Sequence, residues 1–187
     1  MDRVARLSLL CLIALAAVVA TGCGNKDEDR HFSLTEGPYI DVDDLTYQIQ
    51  ISRILEPSDL EDQAYLRGRA RTDQVNADEV WFAVFLRVQN QTDRVLRPAS
   101  SFKIVDTQGN TYRPLRLDPA INDFLYVPAP IQAGVVVPRL DSPSYNGPIQ
   151  GALLLFKLTV QTLYNRPLAF HIESTTGGAD GIINLDV

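Results

Sequence analysis

Val80-Trp81-Phe82-Ala83-Val84-Phe85-Leu86-Arg87-Val88-Gln89-Asn90 is the stretch that decides the fold. Val80, Phe82, Val84, Leu86 and Val88 alternate onto one face, which is the period of a strand. Trp81, Ala83 and Phe85 make the other face apolar as well, until Arg87 and Gln89 turn it polar. A strand that is apolar on both faces is covered on both, so it belongs in the middle of a sheet. Gly151 to Leu158 has the same character and predicts a second central strand.

Weaker strand signals surround these two. In Leu45 to Leu55, Tyr47, Ile49 and Ile51 fall on one face and Gln48, Gln50 and Ser52 on the other, until Pro57 stops the run. Ser58-Asp59-Leu60-Glu61 has the form of a capping box, and predicts a short helix over Asp59 to Leu66 with Asp59, Glu61 and Asp62 in its first turn. Asn90-Gln91-Thr92-Asp93 reads as a turn leading to a strand at Val95 to Arg97. Phe102 to Val105 and Thr111 to Leu115 flank Asp106-Thr107-Gln108-Gly109-Asn110, a hairpin with a glycine-containing loop. Leu168, Phe170 and Ile172 alternate, a Gly177-Gly178 turn follows, and Gly181 to Val187 supplies a last strand. Between these lies Asp118 to Pro148, rich in proline, where only Val135 to Val137 suits a short edge strand. The count is about seven or eight short strands and one short helix without a βαβ rhythm, which points to an antiparallel β-sandwich of the immunoglobulin-like kind. A small closed barrel or a jelly roll is the alternative.

The N-terminus reads as an address. Arg3 and Arg6 precede the apolar run Leu7 to Ala20, broken only by Ser8. The run is shorter than the roughly 20 residues of a bilayer span and fits a secretory signal. Ala20-Thr21-Gly22-Cys23 resembles a bacterial lipobox. That resemblance implies cleavage before Cys23, a diacylglyceryl group on the Cys23 thiol, and at least two acyl chains in total, enough for stable anchoring. The expected organisation is a signal over 1–22, a lipidated Cys23 with a polar tether to 44, and a sandwich over 45–187. A flexible tether of about 20 residues spans roughly 25 Å.

Composition narrows the function. Removing residues 1–22 takes one acid (Asp2) and two bases (Arg3, Arg6) from totals of 23 and 17, and leaves a net charge of −7. That balance argues against nucleic acid and against adhesion to anionic lipid. Cys11 leaves with the signal and Cys23 carries lipid, so no thiol remains for a disulfide, a zinc site or a nucleophile. The mature chain would hold no Met and only His31 and His171, which argues against copper.

Three segments carry a family resemblance: Phe82 to Asp93, Phe102 to Tyr112 and Gly151 to Leu158. Together they resemble a widespread family of bacterial lipoprotein domains of unknown function, which also includes small secreted immunogenic antigens. The family pattern is a strand ending in an Asn-polar turn, a hairpin around Asp-x-x-Gly and a Gly-led apolar strand. The resemblance covers about Leu45 to Glu173 and implies a telokin-like, immunoglobulin-like sandwich outside the cell membrane. It implies no catalytic residue.

Chemistry is sparse. No Gly-x-Ser-x-Gly or Walker-type loop is present, and His171 alternates outward on a strand. Asp41, Asp43 and Asp44 are close in sequence, but an EF-hand starting at Asp41 would place Thr46 and Ser52 where Gly and Glu are required. Arg67, Arg69 and Arg71 project to one side if extended. The suggestive stretch is the proline-rich one, where Ile121, Phe124, Leu125, Tyr126 and Val127 crowd together with Tyr145 beyond. Loops on rigid sandwiches often carry function, and aromatics dominate binding hot spots. Phe124, Tyr126 and Tyr145 are therefore expected to form a partner surface. No catalytic, cofactor-binding or metal-binding residue is expected. The leading functional expectation is a lipid-anchored, non-enzymatic binding or accessory module for an envelope or extracellular partner. An envelope hydrolase using loop carboxylates such as Asp118 and Asp123, and a structural spacer, are the rivals.

Overall fold

The structure is a computed structural model that describes residues 39–185. Among them, nine strands form two antiparallel sheets packed as a sandwich. In the first sheet, β1 (Tyr39–Val42) pairs with β2 (Leu45–Leu55), and β2 with β3 (Glu79–Gln89). The far edge of β3 is shared. β7 (Ala152–Thr159) pairs with Glu79 to Leu86, and β6 (Val136–Val137) pairs with Val88 and Gln89. The second sheet runs in the order β5 (Thr111–Tyr112), β4 (Phe102–Val105), β8 (Leu168–Ile172), β9 (Gly181–Leu185). The register gives Val80 to Gln89 the central placement expected of it, between β2 on one side and β7 and β6 on the other. Gly151 to Leu158, also expected to be central, pairs with β3 alone among the described strands. Its two apolar faces are buried, but its outer edge meets only the 115 and 124–126 loops among the described residues.

Two apolar cores lie on the two faces of β3. Phe82, Val84, Leu86 and Val88 point between the sheets, where they meet Tyr47, Ile49, Phe156 and Phe170. Trp81, Ala83 and Phe85 point the other way into a second core. That core is roofed by helix α1 (Leu60–Tyr65), Leu66 and Leu117. Tyr65 is the keystone, with its ring edge-on to Phe85 at 4.9 Å and to Phe124 at 4.8 Å. The Arg69 guanidinium lies 4.6 Å from the Trp81 ring centroid and covers the remaining indole face.

The structure corrects four local expectations. Tyr39 to Val42, expected in the tether, is a strand; Asp43 and Asp44, at φ +52° and +63°, make the two-residue turn of its hairpin. Both turn positions need positive φ, which Asp tolerates better than most residues, so the hairpin lacked the usual glycine signal. A register shift between Ile49 and Ile51 turns the rest of β2 over, so Ile51 pairs with Phe85 on the outer face and not with Tyr47 and Ile49 on the inner one. The cap of α1 is Asp59, whose carboxylate accepts from the Glu61 and Asp62 N–H groups, while the Ser58 hydroxyl turns back to Glu56. The Ser58 capping box does not form, because the cap falls one residue later, and the Glu61 carboxylate instead accepts from the Tyr65 hydroxyl at 3.1 Å. Val95 to Arg97 contributes only a bridge from Leu96 to Ile131.

Candidate functional site

The proline-rich segment is anchored at several points. Asn122 is buried; its amide donates to the Tyr65 and Arg67 carbonyls, and its oxygen accepts from the Phe124 N–H. Residues 124–126 then run beside β7, with the Leu153 N–H on the Phe124 carbonyl at 2.7 Å and the Tyr126 N–H on the Leu153 carbonyl at 2.9 Å. Ile131 and Leu96 exchange both backbone hydrogen bonds. Asn90, fully buried, donates its amide to the Ile131 and Arg94 carbonyls. The Ser144 hydroxyl, in the short helix α2 (Pro143–Asn146), closes the segment on the Asp123 carbonyl at 2.9 Å. Proline supplies the stiffness between these points, since it fixes φ and offers no N–H.

The segment thereby encloses a groove of about 400 Å³ beside the β6–β7 edge. Buried Ile131 and Ala152 form its floor. Val127 and Val135, 51% and 40% exposed, form its walls. Asp123, Gln132, Arg139, Ser142 and Ser144 are the polar members of its lining. Mostly apolar walls with a few polar groups, at this volume, are the usual make-up of a ligand or side-chain receptor. The polar groups are not equivalent. Arg139 is held by Asp141 at 2.9 Å and the Ser142 hydroxyl by the Arg139 carbonyl, whereas the Asp123 carboxylate meets no partner among the described residues.

The expected aromatic surface does not form as a unit. Tyr126 is 5% exposed, its ring edge-on to Phe102 at 5.3 Å, and its hydroxyl donates to the Ala99 carbonyl at 2.9 Å. It belongs to the inner core, which corrects its assignment to a partner surface. Phe124 is half-buried against Tyr65 in the outer core. Tyr145 is half-buried under the Arg87 guanidinium, 5.9 Å from its ring centroid. None of the three lines the groove. The apolar residues that do are aliphatic or proline. Leu125 and Val127, from the stretch the sequence singles out, are among them, whereas Phe124 and Tyr126 from the same stretch serve the cores of the sandwich, where a buried tyrosine finds a partner for its hydroxyl inside the fold. The density of prolines was the one signal that located the groove.

Other candidate residues are drawn into local structure. Asp118 is exposed, accepts from the Ala120 N–H at 2.9 Å, and does not line the groove with Asp123. His171 stands opposite Lys103 across the β4–β8 ladder; burial first, and then the Lys103 charge, push its pKa down. Arg69 is turned onto Trp81, while Arg67 and Arg71 are exposed. The three N-terminal acids diverge. Asp41 accepts from the Thr46 hydroxyl, Asp44 pairs with Arg94 at 2.9 Å, and Asp43 accepts from the hydroxyls of Ser174, Thr175 and Thr176 and from the Thr175 N–H. Burial would raise the Asp43 pKa, but the hydrogen bonds outweigh it and hold the group at about 2. Cys23 and His31 lie outside the described residues.

Comparison with known proteins supports the fold and nothing beyond it. No protein-family model matches the chain, and no curated protein matches it in sequence. Among solved structures, the chain is similar to the yjhA protein of Bacillus subtilis, with a TM-score of 0.50 at 9% identity over 81% of this chain and 99% of that one. It also matches an uncharacterised β-sandwich protein of Clostridium difficile, with a TM-score of 0.45 at 11% identity over 86% of this chain and 99% of that one. A conserved hypothetical protein of Bacillus anthracis matches with a TM-score of 0.45 at 8% identity over 82% and 95%. At 9% identity the likeness to the yjhA protein speaks to architecture alone.

Proposed function

We propose that this chain is a lipid-anchored binding module of the bacterial envelope, held outside the cell membrane by acyl groups on Cys23 and engaging an envelope or extracellular partner through the proline-walled groove. The observation that carries the reading is the groove, an apolar receptor of about 400 Å³ built on a rigid two-core sandwich. The anchor rests on the signal pattern of Arg3 to Cys23. In this reading the domain is one of the lipoprotein domains of unknown function whose strand and hairpin pattern it resembles, and its work is recognition rather than catalysis.

Two variants test it in the full chain. Cys23→Ser should move the protein from the membrane fraction to the soluble extracytoplasmic fraction, with the acyl mass lost from the N-terminal peptide. Ala129→Trp adds bulk at an exposed position of the groove lining, so it fills the groove without disturbing the core. Affinity capture from detergent-solubilised membranes should recover a partner with the wild type and lose it with Ala129→Trp. An unmodified Cys23 thiol on an uncleaved chain defeats the anchor, and a partner retained equally by both proteins defeats the groove.

A further inference from the structure

Resting on that reading of the groove, we infer that its occupant is an extended segment of a partner protein that carries an apolar side chain next to a Lys or Arg, with Asp123 as the counter-charge. Three observations converge on a basic, apolar peptide. Asp123 stands in the lining with its carboxylate exposed, and only its backbone carbonyl is engaged, by Ser144. The cation in the lining, Arg139, pairs at 2.9 Å with Asp141, which lies outside the lining, so Asp123 is the lining charge left without an opposite partner. The whole chain carries a net charge of −6, and its field favours approach of a cation.

The same chemistry disfavours lipid. An acyl chain laid over Asp123 would desolvate a carboxylate and return nothing to it. A phosphate headgroup would meet the Asp123 carboxylate and a guanidinium that is already paired. Strand addition is also a poor route, because β6 is two residues long and is followed by Pro138, which has no N–H. Recognition therefore falls to side chains entering the groove.

The probe is a random-peptide display library panned on the full chain in detergent, with enriched peptides then titrated by fluorescence anisotropy. The expected result is peptides that combine apolar residues with Lys or Arg. Ala129→Trp should weaken them more than tenfold, as loss of a buried anchor does. Asp123→Asn should weaken them up to about fivefold at low salt, the scale of one exposed ion pair, and much less at high salt. Val127→Lys, at a half-exposed wall position, adds a cation to the lining that Asp123 shares and should have the same sense if Ala129→Trp perturbs folding. Peptides that are uncharged or acidic, or indifferent to Asp123→Asn, overturn the cationic partner and leave the groove reading intact. No enrichment, or binding that survives Ala129→Trp and Val127→Lys, overturns both. Release of a fatty acid from the purified chain, competing with the peptides, overturns the peptide in favour of lipid.

Discussion

Single side chains here hold distant segments together through hydrogen bonds that no sequence pattern announces. Tyr47 and Tyr126 clamp one residue from both sides: the Ala99 N–H donates to the Tyr47 hydroxyl at 2.7 Å, and the Tyr126 hydroxyl donates to the Ala99 carbonyl. Tyr126→Phe should cost about 1–2 kcal/mol in urea denaturation, since it leaves a buried carbonyl unpaired. Burial, opposed by the Ala99 hydrogen bond and reinforced by the Asp43 charge, pushes the Tyr47 hydroxyl up to about 12. It therefore stays protonated through the neutral range. Asp43 gives the pH prediction. Its folded pKa of about 2 lies below its ordinary value of 3.8, so its stabilisation is complete above about pH 4 and is lost as pH falls toward 2. Asp43→Asn keeps the positive-φ turn and removes that titration, so the gap in urea midpoint between wild type and variant should shrink between pH 5 and pH 2. A constant gap would show that the Ser174–Thr176 cage does not stabilise the charge.

At the scale of elements, the start of α1 separates two readings of the same residues. Asp59→Ala should cost about 1 kcal/mol and Ser58→Ala close to nothing, because the N-terminal amides bind Asp59. The helix is further tied to β2 through Asp62, which is 1% exposed and accepts from the Arg53 guanidinium and from the Glu56 N–H at 2.7 Å. The approach of β7 to β3 depends on Gly151, where a Cβ would lie 2.8 Å from the Phe85 Cβ and 3.1 Å from the Leu86 nitrogen. Backbone cannot step aside as a side chain can, so Gly151→Ala should cost at least about 2 kcal/mol by thermal or urea unfolding. A near-neutral result would mean that the β3–β7 ladder is looser than its register implies. Most elements were legible in advance, because alternation over Val80 to Gln89 and Leu168 to Ile172 is strong. The hairpin of β1 with β2 was hidden by an Asp-Asp turn, and the flip at Ile51 by a bulge that alternation alone does not reveal.

For the molecule as a whole, the decisive feature is that one sheet serves two cores. β3 sends alternate residues into each, so the outer layer of α1 and the 115–125 stretch shares its main strand with the sandwich proper. Loss of either core should then unfold the molecule in one step. Tyr65→Ala, in the outer core, and Phe170→Ala, in the inner one, should each cost about 3–4 kcal/mol. Trp81, the chain's sole tryptophan, reports from the outer core. Its fluorescence should change in the same transition as far-UV circular dichroism in both variants. An earlier tryptophan transition in Tyr65→Ala would show that the outer layer is a separate unit.

The amino-acid sequence alone determined the architecture, because two-faced apolar alternation in β3 and β7 has no satisfactory burial except in a sheet covered on both faces. It also marked the proline-rich stretch as unlike the rest, since residues without a free N–H cannot join a ladder. Only the tertiary structure decided which side chains of that stretch are spent on the core and which are left to line a groove. Whether Tyr126 faces solvent or Ala99 depends on contacts between residues far apart in the chain, and local pattern carries no information about that distance.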